Sequence, residues 1–193
     1  MTARKRDPLT TFHLVSMAIL ALTNVASAIV FISSATPAMA AENNTTVLAI
    51  ASYGCLNIIN VLALICGIAY LLQGYSKESG YLYHGFMLLT AIACVCTTVG
   101  VILAQGFGFS VIVLIAKIFI LFALAYGKDL GERNTWALFS VLVALDVLLV
   151  ILFGSGGVLI YRIVTTLTRL FIDSTIGLAI LGKYRDKAAR GTV

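Results

Sequence analysis

Five ionisable side chains lie inside long apolar runs of the chain, where charge is rare: Lys117, Asp146, Arg162, Arg169 and Asp173. A charge at the centre of a bilayer costs about 2.5–3.5 kcal/mol, so such residues usually pair with one another or serve a binding site or an ion pathway. Three of the five are basic and two are acidic, so complete pairing leaves one positive charge. We therefore predict an interior site for a small anionic or zwitterionic solute, built by these five residues, in a membrane protein of transport or solute-binding type.

The last apolar run places its polar residues on one face. That face holds Arg162, Thr166, Arg169 and Asp173. At 100° per residue these positions fall within about 60° of one another, so they form a single stripe. Hydrocarbon disfavours such a stripe, and we therefore expect it to face the interior of the bundle.

A second interpretation of the same charges is that they neutralise one another as internal ion pairs. Counting about 1.5 Å per residue from the predicted outer ends places Lys117, Asp146 and Arg162 at about 8–12 Å depth, and Arg169 and Asp173 at about 18 and 24 Å. Asp146 could then pair with Lys117 or Arg162, and Arg169 with Asp173. Under this alternative the protein is a non-catalytic bundle that acts as a structural or assembly partner.

Residues that commonly carry catalysis or bind metals are poorly arranged for either task. On a helix, Cys94 and Cys96 point about 160° apart, and neither His13 nor His84 has a second histidine four residues on. The sequence contains no phosphate-binding loop and no dinucleotide fingerprint. No nucleophile and base share a face, so we predict that the protein is not an enzyme and has no metal site and no cofactor.

The composition identifies the elements that must position these charges. Hydrophobic residues make up 61% of the chain and charged residues 11%, and the mean hydropathy is +1.05, which excludes a soluble globular domain and a disordered chain. Because about 20 apolar residues cross a bilayer, the sequence predicts an all-α, polytopic membrane bundle of six transmembrane helices, forming a single domain over residues 1–193. The predicted spans are 12–33, 46–72, 81–104, 109–126, 135–153 and 157–181.

Basic residues mark one side of the predicted bundle. Ten of the 13 fall in the termini and in alternate connections: Arg4, Lys5, Arg6, Lys77, Lys128, Arg133, Lys183, Arg185, Lys187 and Arg190. The other connections, 34–45, 105–108 and 154–156, contain none. Since Lys and Arg collect in cytoplasmic loops, we predict cytoplasmic N- and C-termini and a multi-pass protein of the plasma membrane. The net charge of +5 then reflects orientation and attraction to lipid headgroups, and we expect no nucleic-acid partner.

The first run has an alternative interpretation as a secretory signal peptide that ends at Ala38-Met39-Ala40. Its apolar stretch from Leu14 to Ser33 exceeds the 7–15 residues usual for such peptides, so we predict a retained span. Cleavage would leave five spans in the same orientation.

Internal similarity suggests a repeat. Gly74, Gly127 and Gly182 follow the second, fourth and sixth runs at spacings of 53 and 55 residues, which favours three repeated helical hairpins. A division into two inverted halves of three helices, common in transporters, fits the same helix count. With either arrangement, the chain could assemble with another membrane protein or with a second copy of itself.

Uncharged residues within the runs predict how the helices pack. Asn24, Asn57 and Asn60 lie near mid-span, where amides usually form hydrogen bonds between helices. Small residues allow helices to approach closely, and we expect this at Gly67 and Gly100 among others.

In size, helix number and predicted orientation, the chain resembles the membrane substrate-binding components of energy-coupling-factor vitamin transporters. The Ala-xxx-Ala docking face usual in the first helix of that family is missing, because Ala18, Ala21, Ala26 and Ala28 have no alanine four residues on. The resemblance is therefore one of architecture and transfers no residue role.

Overall fold

The structure, a computed structural model, describes residues 8–73, 80–127, 130–153 and 159–190, with side chains described up to Arg185. This part of the chain is helical and contains no strand. The helices are α1 (Pro8–Ser33), α2 (Pro37–Glu42), α3 (Val47–Gln73), α4 (Gly80–Gln105), α5 (Phe109–Tyr126), α6 (Glu132–Leu152) and α7 (Leu159–Arg190). The signals predicted at Arg4–Arg6, Gly74, Lys77 and Lys128 and in the connection 154–156 lie outside the described residues.

The prediction of six membrane-spanning helices is confirmed. All the described helices except α2 are long and apolar enough to cross a bilayer, and their bounds follow the predicted spans closely. The last helix continues beyond its apolar run to Arg190, because its charged C-terminal residues are good helix formers. The sidedness of the termini and the repeat stay predictions.

Helix α2 lies in the connection between α1 and α3 and was not predicted. Its N-cap is Thr36, whose hydroxyl accepts a hydrogen bond from the backbone N–H of Met39 at 3.3 Å. Pro37 occupies the first helical position, where it requires no donor. These residues give the connection a helical turn although it is too short to show periodicity.

Neighbouring membrane helices are antiparallel. Each membrane helix packs against the next, and α7 returns to pack on α1 and α3 as well as on α6. Along α1 and α7 the residue order is opposite, since Asn24 contacts Thr168 while Phe31, further along α1, contacts Tyr161. We call the end of the bundle where α1, α4 and α6 finish the upper end, and the opposite end the lower end.

Glycines let the helices approach closely in the core, as predicted. A side chain at Gly67 would lie 2.9 Å from the terminal methyl of Met17 and 3.3 Å from the ring of Phe86, two of the largest fully buried side chains. A side chain at Gly100 would come 2.6 Å from the hydroxyl of Ser52. These contacts join α4 to α3 and bring α3 against α1.

The outer surface of the bundle is apolar. Large aliphatic and aromatic side chains are exposed on all six long helices, among them Leu22, Phe119 and Ile160, at 70–72% exposure. A water-soluble monomer rarely exposes so large an apolar surface, whereas acyl chains cover it at no cost. The protein is therefore a multi-pass integral membrane protein whose charged side chains within the spans need interior partners.

Candidate functional site

Two interhelical hydrogen bonds fix the rotation of α7. The Asn24 amide donates to the Thr168 hydroxyl at 2.9 Å, and the Nε2 atom of His13 lies 3.0 Å from the Thr175 hydroxyl. Thr168 and Thr175 are seven residues apart, so they share the face of α7 that looks towards α1. The interhelical bond predicted for Asn24 is thus confirmed, and it turns the arginine stripe of α7 towards the other helices.

A cavity of about 710 Å³ lies in the upper half of the bundle. It is bounded by α1, α3, α4, α6 and α7, through residues near the upper ends of these helices such as Phe31, Tyr53, Gln105 and Phe153. Aliphatic and aromatic side chains form most of its wall. A volume of this size is typical of pockets that hold one small organic ligand.

Two of the predicted site residues, Arg162 and Arg169, line this cavity together with Thr166. Both arginines are half-buried, and neither makes an ion pair within 4.0 Å among the residues that the structure describes. They lie seven residues apart, so about 10 Å of the cavity wall separates them along one face of α7. The stripe predicted on the last helix therefore presents two cationic groups to an interior space.

Lys117 and Asp146 form a closed ion pair between α5 and α6. The Lys117 ammonium is 2.5 Å from both carboxylate oxygens of Asp146. The two side chains are only 5% and 7% exposed, and neither lines the cavity. Of the two partners considered for Asp146 from the sequence, the structure has Lys117.

Asp173 lies one turn below Arg169 and is 6% exposed. Its carboxyl group interacts electrostatically with Asp146, Lys117 and Arg169. One carboxylate oxygen, Oδ1, is buried and has no hydrogen-bond partner. Asp173 therefore connects the cavity arginine Arg169 to the buried pair below the cavity.

The structure groups the charges differently from the depth count. That count placed Arg162 level with Lys117 and Asp146, but it is Asp173 and Arg169 that interact with Lys117. The count treats every helix as upright and starting at one height, a condition that tilted helices of unequal length do not meet. The cluster of Lys117, Asp146, Arg169 and Asp173 is balanced in charge, and Arg162 carries the excess positive charge.

The cavity includes polar residues that the sequence interpretation missed. Tyr53 and Tyr161 line it, their rings are 6.4 Å apart, and the Tyr161 hydroxyl interacts with Asn57 of α3. Thr97 and Gln105 of α4 also line it. Of these residues, only Tyr161 could have been identified from the sequence, because it is adjacent to Arg162 on α7. Contacts between helices that are distant in sequence cannot be inferred from residue spacing.

No match emerges from known proteins. Comparison with protein-family models, with curated proteins and with solved structures finds none that resembles this chain. The function must therefore be argued from the cavity and its charges.

Proposed function

We propose that this membrane protein binds a small anionic or zwitterionic solute in the upper cavity, as a transporter or a solute-binding component of the cell membrane. The observation that carries the proposal is that Arg162 and Arg169 line the cavity without an ion pair among the described residues. With the predicted orientation, the cavity lies towards the outer side of the membrane.

Electrostatics favour an anion as the occupant. An unpaired cation inside a bilayer is costly, and water, a carbonyl group or an anionic ligand must lower that cost. The guanidinium group is suited to this task, because its planar set of N–H donors matches the geometry of a carboxylate or a phosphate. Arg162 carries the excess charge, and we assign it the main contact, with Arg169 as the second.

Lys117 and Asp146 support a different role. Their mutual pair satisfies both groups, so for these two residues the alternative of an internal ion pair is the better supported one. We therefore narrow the proposed solute contacts to Arg162 and Arg169. Asp173 we treat as a positioning residue for Arg169, and the buried pair as support below it.

The experiment is a thermal-shift and calorimetric titration of the purified protein. The probes are acetate, hexanoate, inorganic phosphate and glycine, with hexylammonium as the cationic counterpart of hexanoate. At a hundredfold excess over Kd, a ligand that binds only the folded state raises Tm by roughly 5–10 °C in a protein of this size. We expect such a rise for at least one anion or zwitterion and none for hexylammonium.

Variants connect the shift to the cavity. Arg162→Gln and Arg169→Gln are expected to remove the anion-dependent shift, while Arg185→Gln is expected to keep it. Arg185 is a matched control because it is an exposed arginine on the same helix, about 24 Å below Arg169. Failure of all the probes to shift Tm, or a shift that survives in both cavity variants, would contradict the proposal.

A further inference from the structure

We infer that the occupant of the cavity is a single-chain anionic amphiphile, of the fatty-acid carboxylate type, whose alkyl chain enters sideways from the bilayer between α6 and α7. The inference rests on the proposed function, since it names the class of solute that Arg162 and Arg169 would hold. It depends on the position of the cavity wall relative to the lipid-facing surface.

One edge of α7 belongs both to the cavity wall and to the lipid-facing surface of the bundle. Leu159, Ile163 and Leu167 line the cavity, yet they are 67%, 48% and 39% exposed. Because they are spaced by four residues, they form a continuous row along the helix. Leu167 lies about 12 Å below the start of α7, a depth inside the hydrocarbon layer. An aliphatic row that lines the cavity and is this exposed at such a depth marks the edge where the cavity meets the lipid-facing surface, and we place the lateral opening there.

The facing edge of α6 completes the opening. Val150 and Leu152 also line the cavity and are also exposed. Near the lower end, by contrast, α6 and α7 are joined by the hydroxyl groups of Thr135 and Tyr184, which lie 2.7 Å apart. At mid-height, Asp146 of α6 interacts with Asp173 of α7. Above this contact, as far as the structure describes the two helices, no hydrogen bond or ring contact connects them. Among the described residues, α6 and α7 are thus connected from their lower ends up to Asp146 and Asp173, and the gap lies beside the cavity above this level.

The distribution of polarity along the cavity matches an amphiphile. The rows at the gap are aliphatic, whereas the cationic groups of Arg162 and Arg169 lie on the stripe of α7 that faces the interior. A carboxylate head at the arginines would leave its alkyl chain against the aliphatic rows, so both ends meet their preferred surroundings. A short soluble anion would use the arginines alone and leave the aliphatic rows without a partner.

The test is photolabelling of the full chain in phosphatidylcholine nanodiscs. The probe is dodecanoate carrying a diazirine at mid-chain, and labelled residues are located by peptide mass spectrometry. We expect the label to concentrate on residues 150–152 and 159–167. Excess dodecanoate should compete, while methyl dodecanoate, which lacks the charge, should not. Arg162→Gln is expected to lower labelling by about tenfold, the effect of losing one charge-assisted hydrogen bond.

A matched pair of variants tests the lateral opening. Ile163→Trp places a large ring in the gap and is expected to lower labelling by about fivefold or more, as overpacking would. Leu170→Trp makes a similar change at a side chain that is 59% exposed but lies off the cavity, and labelling should be unchanged.

Two results would overturn the inference. One is labelling that is spread over the lipid-facing positions of all helices and is indifferent to Ile163→Trp. The other is competition by acetate at the same concentration as dodecanoate, which would indicate a soluble solute and leave the proposed function standing. If no anion or zwitterion raised Tm, the proposed function itself would be contradicted.

Discussion

The buried Lys117–Asp146 pair, which we call the closed layer, and the arginines that line the upper cavity, which we call the cavity layer, lie in the same bundle but have different neighbours. Around the middle of α5, α6 supplies a carboxylate for Lys117, and the resulting pair is almost completely buried. Around the upper part of α7, the neighbouring helices supply hydroxyl, amide and apolar groups, and Arg162 faces an open space. Both sites lie on helices that are long and apolar enough to cross a membrane. The difference between them therefore comes from the side chains that the adjacent helices place beside each charge.

This contrast separates two uses of charge in a membrane. A charge that is paired within the fold contributes its interaction energy to the stability of the folded state. A charge on a cavity wall can instead contribute its interaction energy to the binding of a ligand. Arg169 belongs to both layers, because it lines the cavity and interacts with Asp173 below it. Substitutions in the two layers should therefore differ in kind as well as in size.

The largest effect is expected from breaking the closed pair. Lys117→Met leaves the Asp146 carboxylate buried beside Asp173 without its ammonium partner. We expect a loss of about 3–5 kcal/mol in the free energy of unfolding, the range for removing one member of a buried pair. Chemical denaturation in detergent micelles, followed by circular dichroism, measures this loss.

The double variant Lys117→Met/Asp146→Leu is the control for this prediction. It removes both charges and keeps similar side-chain volumes, so it is expected to recover most of the lost stability. If the double variant were as unstable as Lys117→Met, the loss would come from packing and the contrast between the two layers would fail.

The sequence predicted the fold well because membrane spans depend on a local property. A run of about 20 apolar residues must cross the bilayer as a helix, whatever its neighbours are. Helix α7 extends further at its lower end than the predicted span, because charged residues such as Lys183 and Arg185 continue the helix after the apolar run has ended. Helix α2 was missed although Thr36 and Pro37 form a recognisable start signal, since six residues are too few to show a period.

The site was predictable only in part. The stripe on α7 could be read from its spacing, and it does place Arg162 and Arg169 on the cavity wall. The partner of Asp146 could not be chosen from the sequence, because the choice depends on which helices are adjacent and how they tilt. Tyr53 and Gln105 were missed for the same reason, since their roles arise only when α3 and α4 pack beside α7.

An intermediate effect is expected at the neutral bond that orients α7. Asn24→Leu removes the amide that donates to Thr168 across the α1–α7 contact. A double-mutant cycle with Thr168→Val should give a coupling energy of about 0.6 kcal/mol and not above about 1.7 kcal/mol, the range measured for hydrogen bonds between membrane helices. A coupling energy of zero would mean that packing alone, and not this bond, fixes the rotation of the arginine stripe.

The smallest effect on stability is expected at the cavity itself. Arg162→Gln, measured without added carboxylate or phosphate, should lower the free energy of unfolding by no more than about 0.5 kcal/mol, because no ion pair among the described residues is lost. The same denaturation assay used for Lys117→Met provides the comparison, and Arg185→Gln gives the background for an exposed arginine on α7. A loss approaching that of Lys117→Met would indicate that Arg162 stabilises the fold, and the cavity arginines would then belong with the closed pair as structural charges.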